Sequence, residues 1–127
     1  MRRPGDWLRQ ADLDREAAGD ASKQRHYEWA CFLAQQSAEK AVKAVHESGG
    51  TEAWGHSVAA LLAGLEDVPE RVIEAGKALD KHYIPTRYPN SHPEGAPGDL
   101  YTAREAEQAL ADADTVVEYA RGRIPPA

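Results

Sequence analysis

The stretch Ala34-Gln35-Gln36-Ser37-Ala38-Glu39-Lys40-Ala41-Val42-Lys43-Ala44 holds neither Gly nor Pro and consists largely of good helix formers. Extended in both directions, it predicts a helix over residues 25–47, stopped by Gly49-Gly50. At 100° per residue, Ala30, Leu33, Ala34, Ala38, Ala41, Val42, Ala44 and Val45 fall on one wide face. Their small side chains let other helices approach closely. The opposite face carries Gln35, Gln36, Glu39, Lys40 and Lys43, the residues of a solvated surface, but also Trp29 and Phe32. Two aromatics have no use in water, so a further helix or a second subunit is expected to cover that part.

On the N-terminal side, Asp6 is the expected cap of a first helix carrying Trp7, Leu8, Ala11, Ala17 and Ala18, with Gly19-Asp20 weakening its end. On the C-terminal side, His56-Ser57 precedes Val58, Leu61, Leu62 and Leu65, a pattern for a short third helix with Ser57 as its cap. Asp67-x-x-Glu70 reads as a capping box for a fourth helix with Val72, Ile73, Gly76, Leu79 and Tyr83 on one side. Ile84-Pro85 should end that helix, because the residue before proline avoids the α region. Residues 85–100 hold four prolines, two glycines and no helical period, and a connection this long is usually functional or disordered. Thr102-x-x-Glu105 is a stronger capping box, opening a last helix striped by Ala106, Ala109, Leu110, Ala113, Val116, Val117 and Ala120. The pattern predicts an all-α protein, an up-and-down four-helix bundle with an additional short helix, and one domain over residues 1–127.

Composition agrees. The 127 residues are 42% apolar and 28% charged, the balance of a globular chain rather than a disordered one. A net charge of −6 argues against a nucleic-acid coat protein, which draws on clustered Lys and Arg, while leaving room for a local basic site. Cys31 is the only cysteine, so no intramolecular disulfide can form. With no apolar run long enough to span a membrane and no signal-like N-terminus, a cytoplasmic location is expected.

One cluster could carry chemistry: Thr86-Arg87-Tyr88-Pro89-Asn90-Ser91-His92, in the long loop. Arg87 is a permanent cation able to hold a phosphate with two donors, and His92 is the residue type that exchanges a proton near neutral pH. Together they suit metal-free RNA cleavage, with His92 moving the proton and Arg87 stabilising the phosphorane. An Arg and a His in a polar loop are more often plain loop residues. Tyr83 and Tyr88 could stack on a base, although tyrosines near a helix end more often pack with a wet hydroxyl. The other histidines, His26, His46, His56 and His82, show no ligand spacing, and no metal site or other cofactor is expected.

The segment 34–44, the later His56-x-x-x-x-Leu61-Leu62, Tyr83-Ile84-Pro85-Thr86-Arg87-Tyr88-Pro89 and Tyr101-Thr102 match, in order and spacing, the pattern of HEPN domains. The chain therefore resembles that family from about residue 7 to residue 119. The resemblance implies a helical homodimer, frequently encoded beside a minimal nucleotidyltransferase as a toxin–antitoxin pair. The HEPN member is then a metal-independent RNase using an R-x4–6-H motif, which Arg87 and His92 fit at its shortest spacing. Dimers of the family bring two such motifs together at the subunit interface, which gives Trp29 and Phe32 a role as dimer contacts. Tyr88 follows the arginine where active members carry a small polar residue or a histidine, and Glu94 stands where modified toxins carry a tyrosine. The alternative is a non-catalytic module in which Lys81, Arg87, Tyr83 and Tyr88 bind a nucleotide, RNA or a partner protein, and a third reading is a bundle that only dimerises and recruits.

Overall fold

The computed structural model describes residues 2–126 and is helical, with no strand among them. The elements are α1 (Pro4–Lys23), α2 (Tyr27–Ser48), α3 (Val58–Ala63), α4 (Glu70–Asp80), α5 (Pro97–Leu100) and α6 (Ala103–Arg123), with a single 3-10 turn at Pro89–Ser91. The long helices α1, α2, α4 and α6 make the expected bundle. Arg25, in the left-handed region at φ 66°, folds α1 back on α2 as a helical hairpin. Helix α2 is the hub and packs on each of the other five.

Small residues explain that central position. Ala30, Ala34, Ala38, Ala41 and Ala44 of α2 are fully buried, as are Ala11 and Ala18 of α1 and Ala106, Ala113 and Ala120 of α6. The larger core side chains come from the other side: Val58, Leu62, Val72 and Leu79 from α3 and α4, with Val42 and Val116. Ser37 ties the hairpin by donating to the Ala11 carbonyl at 2.7 Å. Gly76 lets α3 lie tightly on α4, since a Cβ there would stand 3.1 Å from both Leu62 and Val58 side chains.

Several local expectations give way to tertiary structure. Helix α1 starts at Pro4, which needs no amide in the first turn; Asp6 sits inside that turn, paired with Arg3. Gly19 and Asp20 do not end α1, because Ala18 is packed against α2 and that burial outweighs their weak propensity. Asp67 is no capping residue: it takes a left-handed φ of 57°, and Pro69 occupies the N-cap position of α4. That helix stops at Asp80 rather than Ile84, and residues 85–100 hold a second short helix, α5, that the sequence pattern does not announce. Ser57 and Thr102 do cap α3 and α6, the latter in a full capping box with Glu105. No helix among the described residues is long and apolar enough to cross a membrane.

Candidate functional site

The site is built where α4 ends. Pro85 has no N–H to continue a helical ladder, so the carbonyls of the preceding turn need other donors. Side chains supply them: Thr86 donates to the His82 carbonyl at 2.6 Å, and Arg87 donates from Nε and Nη2 to the Tyr83 carbonyl at 2.9 and 2.7 Å. His92 Nε2 lies 2.7 Å from the Pro85 carbonyl and must be the donor there, because a carbonyl can only accept. The irregular segment is thus held by the same residues that the sequence singles out as candidates for chemistry.

Arg87 lies against three aromatic rings, its Cζ 4.5 Å from the Phe32 centroid, 4.7 Å from Tyr83 and 5.2 Å from Tyr88. It forms an ion pair with no carboxylate among the described residues. A half-buried guanidinium held by a carbonyl and ring faces, with no carboxylate paired to it, can meet an incoming anion. The Nε2 bond to Pro85 orients His92 and leaves Nδ1 for proton transfer.

The other residues singled out in the sequence divide. Tyr83 lies inside the cluster, with its ring 6.2 Å from Phe32. Tyr88 and Trp29 keep roughly half their surface exposed, and Trp29 meets Phe32 edge-on at 5.9 Å. Phe32 is thereby part of the arginine's seat as well as a neighbour of the exposed Trp29 face. Lys81 is exposed, and its ammonium makes no hydrogen bond or ion pair with the described residues.

Gln35 and Glu39 belong in neither a solvated face nor water: both are buried. Gln35 donates to the His56 carbonyl at 2.7 Å. Glu39 takes Lys43 Nζ at 3.1 Å on one oxygen and His56 Nδ1 at 3.1 Å on the other. The His56 imidazole then stacks on Tyr83, with centroids 4.9 Å apart and planes 16° apart. A continuous chain Glu39–His56–Tyr83–Arg87 results, and sequence reasoning missed it. The spacing of Gln35, Glu39 and Lys43 on one helical stripe is the only local trace it leaves. A cleft of about 170 Å³ between Trp7, Lys43 and Trp54 shares only Lys43 with this network.

Behind the loop, His82 faces Tyr101, whose ring also meets His92 edge-on at 6.2 Å. Burial pushes the Tyr101 hydroxyl up to about 12, and burial with the charges of Glu105 and Glu28 does the same to the Cys31 thiol. Neither is a nucleophile at neutral pH. Burial also holds His82 below the ordinary imidazole value of 6.5; the Glu105 charge opposes this and the Lys81 charge adds to it. The folded chain therefore prefers neutral His82. Its contribution is complete above pH 6.5 and is lost as the pH falls from 6.5 through the lower folded value, where the unfolded chain binds the extra proton. Urea midpoints measured from pH 7.5 to pH 5 should fall more steeply for the wild type than for His82→Asn; equal slopes would refute this.

The comparisons with known proteins fall on the same elements. The family model described as HEPN domain matches residues 5–123. A Methanocaldococcus jannaschii protein named Putative toxin MJ1304 is 30% identical over 124 residues, spanning 88% of this chain and 82% of its own. The crystal structure of TT1696 from Thermus thermophilus superposes with a TM-score of 0.95 at 47% identity, covering 98% of this chain and 100% of that one. ST0689, described as an archaeal HEPN homologue, gives a TM-score of 0.86 at 41% identity over 98% and 100% of the two chains. The chain belongs to the HEPN family.

Proposed function

We propose that this protein is a metal-independent endoribonuclease that works as a cytoplasmic homodimer and is paired with a minimal nucleotidyltransferase as the toxin of a toxin–antitoxin system. The observation that carries the reading is Arg87: a guanidinium with no carboxylate partner among the described residues, five positions from an oriented histidine in the same loop. The relative named as a toxin supports the physiological setting. In the reaction the ribose 2′-oxygen attacks the adjacent phosphorus, the bond to the 5′-oxygen breaks, and a 2′,3′-cyclic phosphate remains. Arg87 stabilises the charge on the phosphorane, and His92 Nδ1 hands a proton to the departing 5′-oxygen. The exposed ring of Tyr88 and that of Tyr83 offer faces for a base, and Lys81 a cation for a flanking phosphate.

The test is incubation of a mixed RNA pool with purified protein in EDTA. Fragments ending in 2′,3′-cyclic phosphate are the expected products. One observation favours a second reading, a binding module: two of the Arg87 donors are spent on the Tyr83 carbonyl, as in an arginine that shapes a loop. Under it the RNA stays intact, while RNA or a nucleotide changes the tryptophan fluorescence.

The dimer is assigned to the exposed Trp29 face, continuous through Phe32 with the arginine's seat. Trp29→Asp removes a large ring from the surface of α2 without touching the core. Buried aromatic anchors are each worth about 2 kcal/mol or more to an interface, so light scattering should show the variant as monomer at concentrations where the wild type is dimeric. A variant that stays dimeric with unchanged affinity would move the interface elsewhere.

A further inference from the structure

We infer that His56 is the second proton-transfer group of the ribonuclease site, acting as general base from Nε2 with Glu39 as its positioning residue. The inference rests on the ribonuclease reading above and extends it: cleavage of RNA by attack of its own 2′-hydroxyl needs one group to take a proton and another to give one. Arg87 can do neither, since its guanidinium stays protonated. His92 supplies one of the two. A dimer would bring a second copy of the motif; within one chain, the other candidate has to lie against the same aromatic platform.

His56 meets the requirement. Its ring stacks on Tyr83 at 4.9 Å, and the Arg87 guanidinium lies 4.7 Å from the same ring, so one tyrosine separates the imidazole from the cation that would hold the phosphate. The tautomer is set by a carboxylate: Glu39 can only accept, so His56 Nδ1 carries the proton and Nε2 presents its lone pair outward. The imidazole side chain is 58% exposed while its carboxylate partner is 5% exposed, the arrangement of a reachable base on a fixed support. Burying Glu39 is costly unless something uses it. Lys43 neutralises one oxygen, and the other is turned onto His56, where it would stabilise the imidazolium formed on proton uptake. The remaining polar partners around His56 come from α2 and α4: its carbonyl accepts from Gln35, and the adjacent Ser57 donates to Asp80 at 2.7 Å. These bonds fix the backbone on both sides of the imidazole.

The proton inventory closes with two histidines. Nε2 of His56 removes the 2′-hydroxyl proton as the 2′-oxygen bonds to phosphorus. Nδ1 of protonated His92 gives a proton to the 5′-oxygen as that bond breaks. Bulk water restores both rings. No metal, oxidant or further reactant enters.

The experiment is RNA cleavage in EDTA between pH 5 and 9 with the wild type, His56→Ala, Glu39→Gln, Arg87→Ala and His92→Ala, each checked for helicity and dimer mass. The expectation for His56→Ala is a loss of about 100-fold or more with removal of the acidic limb of the pH–rate profile, partly restored by added imidazole. Glu39→Gln should fall less, by about tenfold, with the acidic limb displaced, because the histidine keeps its place and loses only its charged support. A His56 with a merely structural role would not give imidazole rescue or a lost limb. His56→Ala that cleaves with the wild-type rate and profile, while Arg87→Ala and His92→Ala are inactive, overturns the inference and leaves the ribonuclease reading standing. A folded wild type that cleaves no RNA overturns both.

Discussion

Arg87→Ala is expected to lower RNA cleavage by about 100- to 1,000-fold, the loss that follows when a preorganised donor to a developing anion is removed. The native guanidinium is held in advance of substrate by the Tyr83 carbonyl and by the rings of Phe32, Tyr83 and Tyr88, so little reorganisation is needed when the phosphorane forms. Arg87→Lys separates charge from geometry. A lysine keeps the positive charge but not the planar fork that satisfies the carbonyl and lies against the rings, and it should recover only a small part of the activity. His92→Ala should match Arg87→Ala in fragment yield. Thermal stability is the control. Three cation–π contacts at about 0.5–1 kcal/mol each set the cost, so Arg87→Ala should unfold roughly 5–10 °C early and still remain folded in the assay. Arg87→Ala with wild-type cleavage would remove the arginine from the chemistry and favour the binding-module reading.

What is legible in the sequence depends on how local each interaction is. The apolar face of α2, the Ser57 cap and the Thr102–Glu105 capping box are written within a few residues of themselves, and all three hold. Arg87 and His92 are visible because their spacing is local, and the loop between them does bring both onto nearby carbonyls. Gln35 and Glu39 cannot be assigned locally. On a helical wheel they lie with Gln36 and Lys40, and only the return of the chain at His56, 17 residues beyond Glu39, covers them. Asp67 departs from its pattern for the opposite reason: the motif is locally sound, but the turn from α3 into α4 requires a left-handed residue at that position and hands the N-cap to Pro69. The end of α4 shows both effects. Proline forbids helix beyond Ile84, yet the helix stops earlier: beyond Asp80 the amides of His82 and Tyr83 bond only three residues back, and the Asp80 carboxylate is committed to another element.

That commitment gives the largest expected loss of stability. One oxygen of the Asp80 carboxylate accepts from Val58 N at 2.6 Å, and the other from Ser57 Oγ at 2.7 Å and Ala59 N at 3.0 Å. It is thus an N-cap delivered across the fold, from the last turn of α4 to the first turn of α3. Asp80→Ala leaves two half-buried amides and a hydroxyl without their acceptor. Loss of a helix cap costs about 1–2 kcal/mol, and hydrogen bonds to a charged group about 1.5–3 kcal/mol each before water repays part of them, so a net loss near 3 kcal/mol is expected. At about 3–4 °C per kcal/mol for a chain of this length, the melting temperature should fall by roughly 10 °C. Asp80→Asn keeps one acceptor and should lie between, because its amide group turns a donor toward one of the two sites. Cleavage should fall further than unfolding alone explains. Asp80 fixes Ser57, Ser57 follows His56, and the residue after Asp80 opens the turn that carries Tyr83 and Arg87, so loosening this carboxylate frees both sides of the His56–Tyr83 stack at once. An Asp80→Ala protein with the wild-type melting temperature would show that α3 is held by Leu61 and Leu62 in the core and not by its cap.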